Sequence, residues 1–328
     1  MAQYVLKRIL MIIPVVFLVA ITIFTIMYFC PGDPAEIILG VGAAAEDIEA
    51  LREQMGLNDP FLVQLGNYLY RTFIKFDFGT SYANSVPIID ELSHRFSKTF
   101  VLAISAIIIE VIVGIPLGMV SATHRGGWID QLCMILALIG ISVPSFWIGL
   151  QLLLIFSLKL SWLPPYGVTT WQGWILPIFV NSLRGIAQMA RQARSSMLEV
   201  IRSDYVTTAR AKGLPERTIL FRYALPNALI PLVQTAGQSF GTSLGGTVII
   251  ENVFSIPGVG QYMVNAIVTR DYAVIRSAVV VLAIVFSLVM LLVDIAFGFI
   301  DPRIKAQYEG RNRKYKWRKK LRRVAANA

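Results

Sequence analysis

Six stretches of this chain are long enough and poor enough in charge to cross about 30 Å of hydrocarbon, which takes about 20 helical residues. They run from Ile9 to Cys30, Thr99 to Thr123, Gln131 to Leu158, about Trp171 to Met189, Ala224 to Ile250 and Ser277 to Ile300. The first, third and fifth carry no charge. The second holds Glu110, the fourth Arg184 and the sixth Asp294. Prolines at 14, 116, 144, 177 and 231 fall inside them, which membrane helices tolerate because neighbours satisfy the freed backbone groups. Only 15% of all residues are charged and 55% are apolar, against about 25% charged in a soluble domain. The pattern predicts an all-α integral membrane protein. It excludes a soluble enzyme, a disordered chain, a fibrous repeat and a disulfide scaffold.

Lys7 and Arg8 precede the first stretch as they would a signal peptide. Yet its 22 residues exceed the usual apolar run of about 7 to 15, and no small-x-small site follows. An uncleaved helix is expected. Six spans put both termini on one side. That side collects 21 of the 30 cations: Lys7, Arg8, Arg125, seven from Arg191 to Arg222, and eleven from Arg303 onward. The other side has eight, and Arg184 lies within a span. The positive-inside rule then predicts cytoplasmic N and C termini.

Between spans, residues 31–98 form a long outer segment with a short helix expected from Ala45 to Met55, ended by Gly56. Residues 159–170 and 251–276 are further outer segments, and 124–130 is a tight inner turn. Cys30 and Cys133 are expected near opposite faces, too far apart for a disulfide. His94 and His124 each adjoin a span and read as interfacial residues. No residue cluster suggests a metal site. The tail, 305–328, holds nine cations between Arg311 and Arg323. It suits anionic inner-leaflet lipid at roughly 1 kcal/mol per cation better than nucleic acid.

The inner loop, about 190–223, is the most informative part. Met189, Ala193, Met197 and Ile201 recur at helical spacing. Ser203 and Asp204 offer an N-cap, a helix is expected over Tyr205 to Lys212, and Gly213 stops it in a left-handed conformation. Pro215 and Glu216 suit the start of a second helix. Two short helices at the membrane face result: a surface hairpin or a docking element for a cytoplasmic partner.

The stretch Asp204–Pro231, DYVTTARAKGLPERTILFRYALPNALIP, resembles the coupling loop of ABC-importer permeases. Ala209, Gly213, Leu225 and Pro226 match that family's pattern. Thr207 stands where its leading Glu is found, as in the dipeptide/oligopeptide/nickel branch. PGDP at 31–34, VGIPLG at 113–118, SVPSFWIG at 142–149, RSSMLEVI at 194–201, ENVFSIPGVG at 251–260, RDY at 270–272 and DPRI at 301–304 are similar to the B-type subunit of peptide permeases.

That resemblance implies a type I, MetI-like permease with its five-helix core at 99–304, preceded by residues 1–98 as first span plus outer segment. It implies a non-catalytic subunit paired with a C-type permease homologue. Two ATPase subunits, carrying ATP and Mg, would bind the loop, and an extracytoplasmic binding protein would deliver cargo. No GxxxxGK[ST] phosphate loop occurs in this chain, so ATP chemistry would come from a partner. The expected coupling residues are Tyr205, Ala209, Arg210, Lys212, Gly213, Leu214 and Arg217. The cations would pair with acidic groups, at about 0.2–1 kcal/mol each when exposed, while Tyr205, Ala209 and Leu214 pack. Cargo would be di- or oligopeptide, or else nickel, glutathione or another small solute.

An intramembrane charge costs at least about 2.5–3.5 kcal/mol, so it faces protein or water. Glu110 and Arg184 are candidates for the translocation path, with interhelical pairing as the alternative for each. Asp294 reads as structural. The small residues Gly237, Gly241 and Ser243–Gly246 read as close helix packing, or as a smooth pathway wall. A secondary transporter working alone is the reading from another class; the inverted repeats common in such proteins are not visible here.

Overall fold

The computed structural model describes residues 2–40 and 42–300. The basic tail and the DPRI motif fall outside the described residues. Helices follow in the order α1 (Ala2–Tyr28), α2 (Pro34–Leu39), α3 (Ala45–Met55), α4 (Phe61–Phe73), α5 (Ile88–Thr123), α6 (Trp128–Ser142) and α7 (Ser145–Leu152). They continue with α8 (Ile175–Ile201), α9 (Asp204–Ala211), α10 (Glu216–Thr218), α11 (Leu225–Val253), α12 (Val259–Val268) and α13 (Tyr272–Ile300). Among the described residues there is no strand, only an isolated bridge between Thr80 and Pro87.

Among the described residues, three helices are both long and apolar enough to cross a membrane: α1 from Val5, α5, and α13 as far as Ile295. A fourth span exists if α6 and α7 with its π-helical continuation, Leu153–Lys159, count as one. That stretch, expected to be one uninterrupted crossing, bends by 96° between Ser142 and Ser145. Pro144 cannot donate a backbone hydrogen bond and forces its neighbour Val143 out of helical geometry; Val143 is extended, with ψ 129. Helices α8 and α11, of 27 and 29 residues, are each about 40 Å long.

The fourth stretch also runs further than its apolar part. A 3₁₀ turn over Trp171–Trp174 leads into α8, which continues twelve residues beyond Met189 to Ile201. The stripe Met189, Ala193, Met197 and Ile201 therefore belongs to this long helix and not to a separate surface hairpin. Its first three members are fully buried. They meet α5 and α11 through Met119, Ala122, Val111, Leu229 and Leu232.

The α5–α8 pair is the most extensive packing in the fold. Small residues permit it: a Cβ on Gly114 would lie 2.7 Å from Met189 Cβ, and one on Gly118 would run into Ala190 and Ala193. These two glycines of VGIPLG form a small-xxx-small contact of the kind that lets membrane helices approach closely. Likewise Gly237 and Gly241 of α11 sit against Val293 and Phe286 of α13. Helix α1 packs mainly on α13, where Arg8 and Asp294 form an ion pair of 2.8 Å. The Ala45–Met55 helix ends at Gly56 with φ +68, at the expected position.

Candidate functional site

The connection between α8 and α11 is a compact unit. Val206, Ala209 and Ile219 are buried together, with Val200 and Leu214 against them. Helix α9 stops at Gly213, whose φ of +74 is the left-handed geometry a side chain resists. Beyond it, α10 runs into a π-helical segment, Ile219–Ala224, and then into α11. Arg210 Nε donates to Glu216 Oε1 at 2.6 Å and Nη2 to Oε2 at 3.3 Å, clamping the two sides of the Gly213 turn. This guanidinium holds the Glu216 carboxyl below its usual value. Asn227 Nδ2 donates to Tyr205 Oη at 3.0 Å, tying α9 to the start of α11.

The seven residues singled out in this loop thus divide. Ala209 points into the small core, Leu214 packs on its edge, and Arg210 is engaged within the loop. Ala209 and Leu214 thus pack within the loop itself, while Arg210 is paired there yet still exposed. Tyr205, Lys212 and Arg217 are exposed. Phe221, Arg222 and Tyr223 are exposed beside them and were not anticipated. Two aromatics flanking a cation, Phe221, Arg222 and Tyr223, were the available signal. Ser203 occupies the N-cap position, but its hydroxyl donates backward to Val200 O at 2.6 Å and caps nothing.

Just ahead of this unit a bidentate ion pair ties α8 to α6. Arg194 on α8 donates from Nε and Nη2 to the two Asp130 oxygens of α6, both at 2.7 Å. Ser121 of α5 and the Gly126 N–H complete the Asp130 shell. Three helices and the 124–130 turn meet on one carboxylate.

At the opposite end of the bundle, Glu251 is fully buried. Thr99 Oγ1 of α5 donates to its Oε1 at 2.7 Å, and Gln261 N to its Oε2 at 2.9 Å. Thr99 Oγ1 in turn accepts from Val259 N at 2.9 Å. A Cβ on Gly258 would overlap the carboxylate, and one on Gly260 would lie 2.9 Å from Oε2. The ENVFSIPGVG motif is therefore a clasp. Its glutamate holds the turn before α12 against α5, and its glycines make room for the carboxylate.

Midway, Glu110 is 2% exposed. Its carboxylate lies on Gly185 of α8, where any Cβ would collide with it. Glu110 Oε2 and Ser239 Oγ of α11 are buried without hydrogen-bond partners. Arg184, the next residue along α8 from Gly185, is exposed. Nearby, Asn181 donates to Ser243 at 3.0 Å between α8 and α11. The structure thus places one of the two intramembrane candidates inside the helix packing and the other on its surface.

Residues 114–306 match the family described as "Binding-protein-dependent transport system inner membrane component". Residues 1–103 match its N-terminal companion, "Binding-prot-dependent transport system membrane comp, N-term". The chain is 39% identical to the glutathione transport system permease protein GsiC of Escherichia coli (strain K12) over 305 residues, 93% of this chain and 99% of that one. It is 40% identical, with the same coverage, to GsiC of Salmonella typhimurium (strain LT2). A solved structure titled for inward facing conformations of the MetNI methionine ABC transporter matches with a TM-score of 0.58 at 18% identity. It covers 66% of this chain and 98% of its own, a likeness of fold. The chain belongs to the family of inner membrane components of binding-protein-dependent transport systems, as a permease subunit of an ABC importer.

Proposed function

We propose that this subunit forms, with a homologous C-type permease, the pathway of an ATP-driven importer of glutathione or a similarly short peptide. The observation that carries the cargo is the near full-length similarity to glutathione transport permeases. Glutathione is itself a short peptide, so it joins two of the cargo classes expected from the sequence. In this reading two ATPases, with ATP and Mg, dock on the 202–224 connection through Tyr205, Lys212, Arg217, Phe221 and Arg222. Both termini face the cytoplasm, six spans cross the inner membrane, and the basic tail contacts anionic lipid. A binding protein releases cargo at the Glu251 end. Arg184, exposed on α8, is a cation for a cargo carboxylate. Glu110 acts on the path through the position it gives α8 at Gly185.

The test is uptake of labelled glutathione, beside a labelled dipeptide, by cells lacking their own importers and expressing the whole assembly. Glutathione uptake that needs ATP and is abolished by Gly213→Pro, with the variant still in the membrane, supports the proposal. A complex that hydrolyses ATP yet accumulates neither compound removes it.

A further inference from the structure

Two adjoining cavities of about 320 and 370 Å³ lie between the Tyr28 end of α1, helix α4 and the start of α13. They share Phe24, Leu57, Gln64, Tyr82 and Arg276 in their walls. Arg276, half-buried, stands at their junction. Its guanidinium carbon is 5.5 Å from the Phe24 ring centre and 5.4 Å from that of Tyr68. Its polar contacts are neutral and long, 3.3 Å to Tyr82 Oη and 3.3 Å to Tyr272 O. Among the described residues no carboxylate lies within ion-pair distance of it, whereas Arg52 and Arg71 in the same walls pair with Asp33 and Asp77. Tyr68 Oη is also buried without a partner. A guanidinium set against a stacked pair of rings, with donor capacity unspent and no carboxylate in ion-pair contact, is preorganised for an oxyanion.

The surroundings say which oxyanion. The cavities open at the end of α1, a helix whose flank is apolar and exposed along its length. Around that end Phe29 and Leu62 are exposed beside the start of α4, and α4 is amphipathic. Aromatic and cationic side chains at a helix end mark the headgroup layer of a bilayer. Acyl chains can follow α1 while a phosphate reaches inward.

We propose that Arg276, with Tyr82, binds the phosphate of a membrane phospholipid, holding α1 and α4 against α13. The proposal rests on α1 and α13 spanning the membrane, and not on the cargo.

The test is native mass spectrometry of the full chain in its complex, released from membranes and re-equilibrated with phosphatidylglycerol in mixed micelles. One phospholipid per chain should survive activation that strips the remaining lipid. Arg276→Gln should lower its occupancy about tenfold, as expected for a lost charge-assisted contact. Asn67→Trp, which fills the mouth of the second cavity and leaves Arg276 in place, should do the same. Arg125→Gln, exposed at the other end, should not. Equal retention in all four proteins overturns the proposal. So does displacement of the lipid by millimolar dipeptide or glutathione, which would assign the site to a soluble carboxylate. Transport is not read, so failure of the cargo assignment leaves this outcome intact.

Discussion

Replacing Arg194 by Gln should destabilise the subunit more than replacing its partner Asp130 by Asn, although both break one ion pair. The asymmetry comes from burial. The Asp130 side chain is 5% exposed and that of Arg194 28%. Arg194→Gln leaves a buried carboxylate with only Ser121 and the Gly126 N–H, and an uncompensated buried charge costs about 3–5 kcal/mol. Asp130→Asn leaves a guanidinium that water can reach, plus an amide that still accepts a bond. Its cost is that of lost hydrogen bonds, about 1–3 kcal/mol. The double variant has no buried ion to strand, so it should be milder than the sum by about 0.5–3 kcal/mol. Unfolding by sodium dodecyl sulfate, followed through tryptophan fluorescence, gives the three differences. Equal single effects, or strict additivity, would refute the reasoning.

Glu251→Gln keeps an acceptor for Thr99 but turns an amide N–H₂ toward the Gln261 N–H. A cost of about 1–3 kcal/mol follows, seen as faster hydrogen exchange over residues 254–261 and unchanged exchange in α9. Gly185→Ala places a methyl group where the Glu110 carboxylate sits; overpacking should cost about 1–3 kcal/mol, and adding Glu110→Ala should restore part of it. The Arg210–Glu216 clamp is pH-dependent in one direction. Its carboxyl is held below the unfolded value of about 4.3, so the contribution is complete above that pH and is lost as pH falls through the lower folded value. With Glu216 60% exposed, the effect is at most about 0.5 kcal/mol; a Glu216→Gln variant whose loop opens equally at pH 7 and pH 3, read by hydrogen exchange, would agree.

What was legible in the sequence was local. Apolar blocks with no charge (α1, α11) or a single one (α5 with Glu110, α13 with Asp294) marked these helices because desolvation of charge is a per-residue cost. Gly56 and Gly213 marked stops because only glycine adopts positive φ freely. Proline was ambiguous: Pro116 and Pro231 sit inside continuous helices while Pro144 breaks one. Neighbouring helices decide whether the freed backbone groups are satisfied, and no single stretch encodes them. The polar anchors were hidden for the same reason. Asp130 and Arg194 are 64 residues apart, Thr99 and Glu251 152. Neither pair has a periodic signature. A glutamate directly after an apolar run and followed by PGVG was the one visible hint of the clasp.

The anchors decide where the subunit bends. Gly114 and Gly118 lock α5 to α8, and Asp130 pins the end of α6 to both through Ser121 and Arg194. In the proposed assembly, a push on the 202–224 connection would therefore move α8 and α5 as one body, because packed cores repack between discrete arrangements and do not stretch. Compliance is left to the 96° bend and to the π-helical segments at Leu153–Lys159 and Ile219–Ala224, since interrupted ladders of this type recur at functional hinges. Spin labels at Arg191 and Lys212, on the α8 body and its lever, should keep their separation within about 2 Å when nucleotide binds. Labels at Gln131 and Leu150, on either side of the bend, should change theirs by more. The reverse pattern would mean that the lever swings on α8 and that the Asp130–Arg194 node is the hinge.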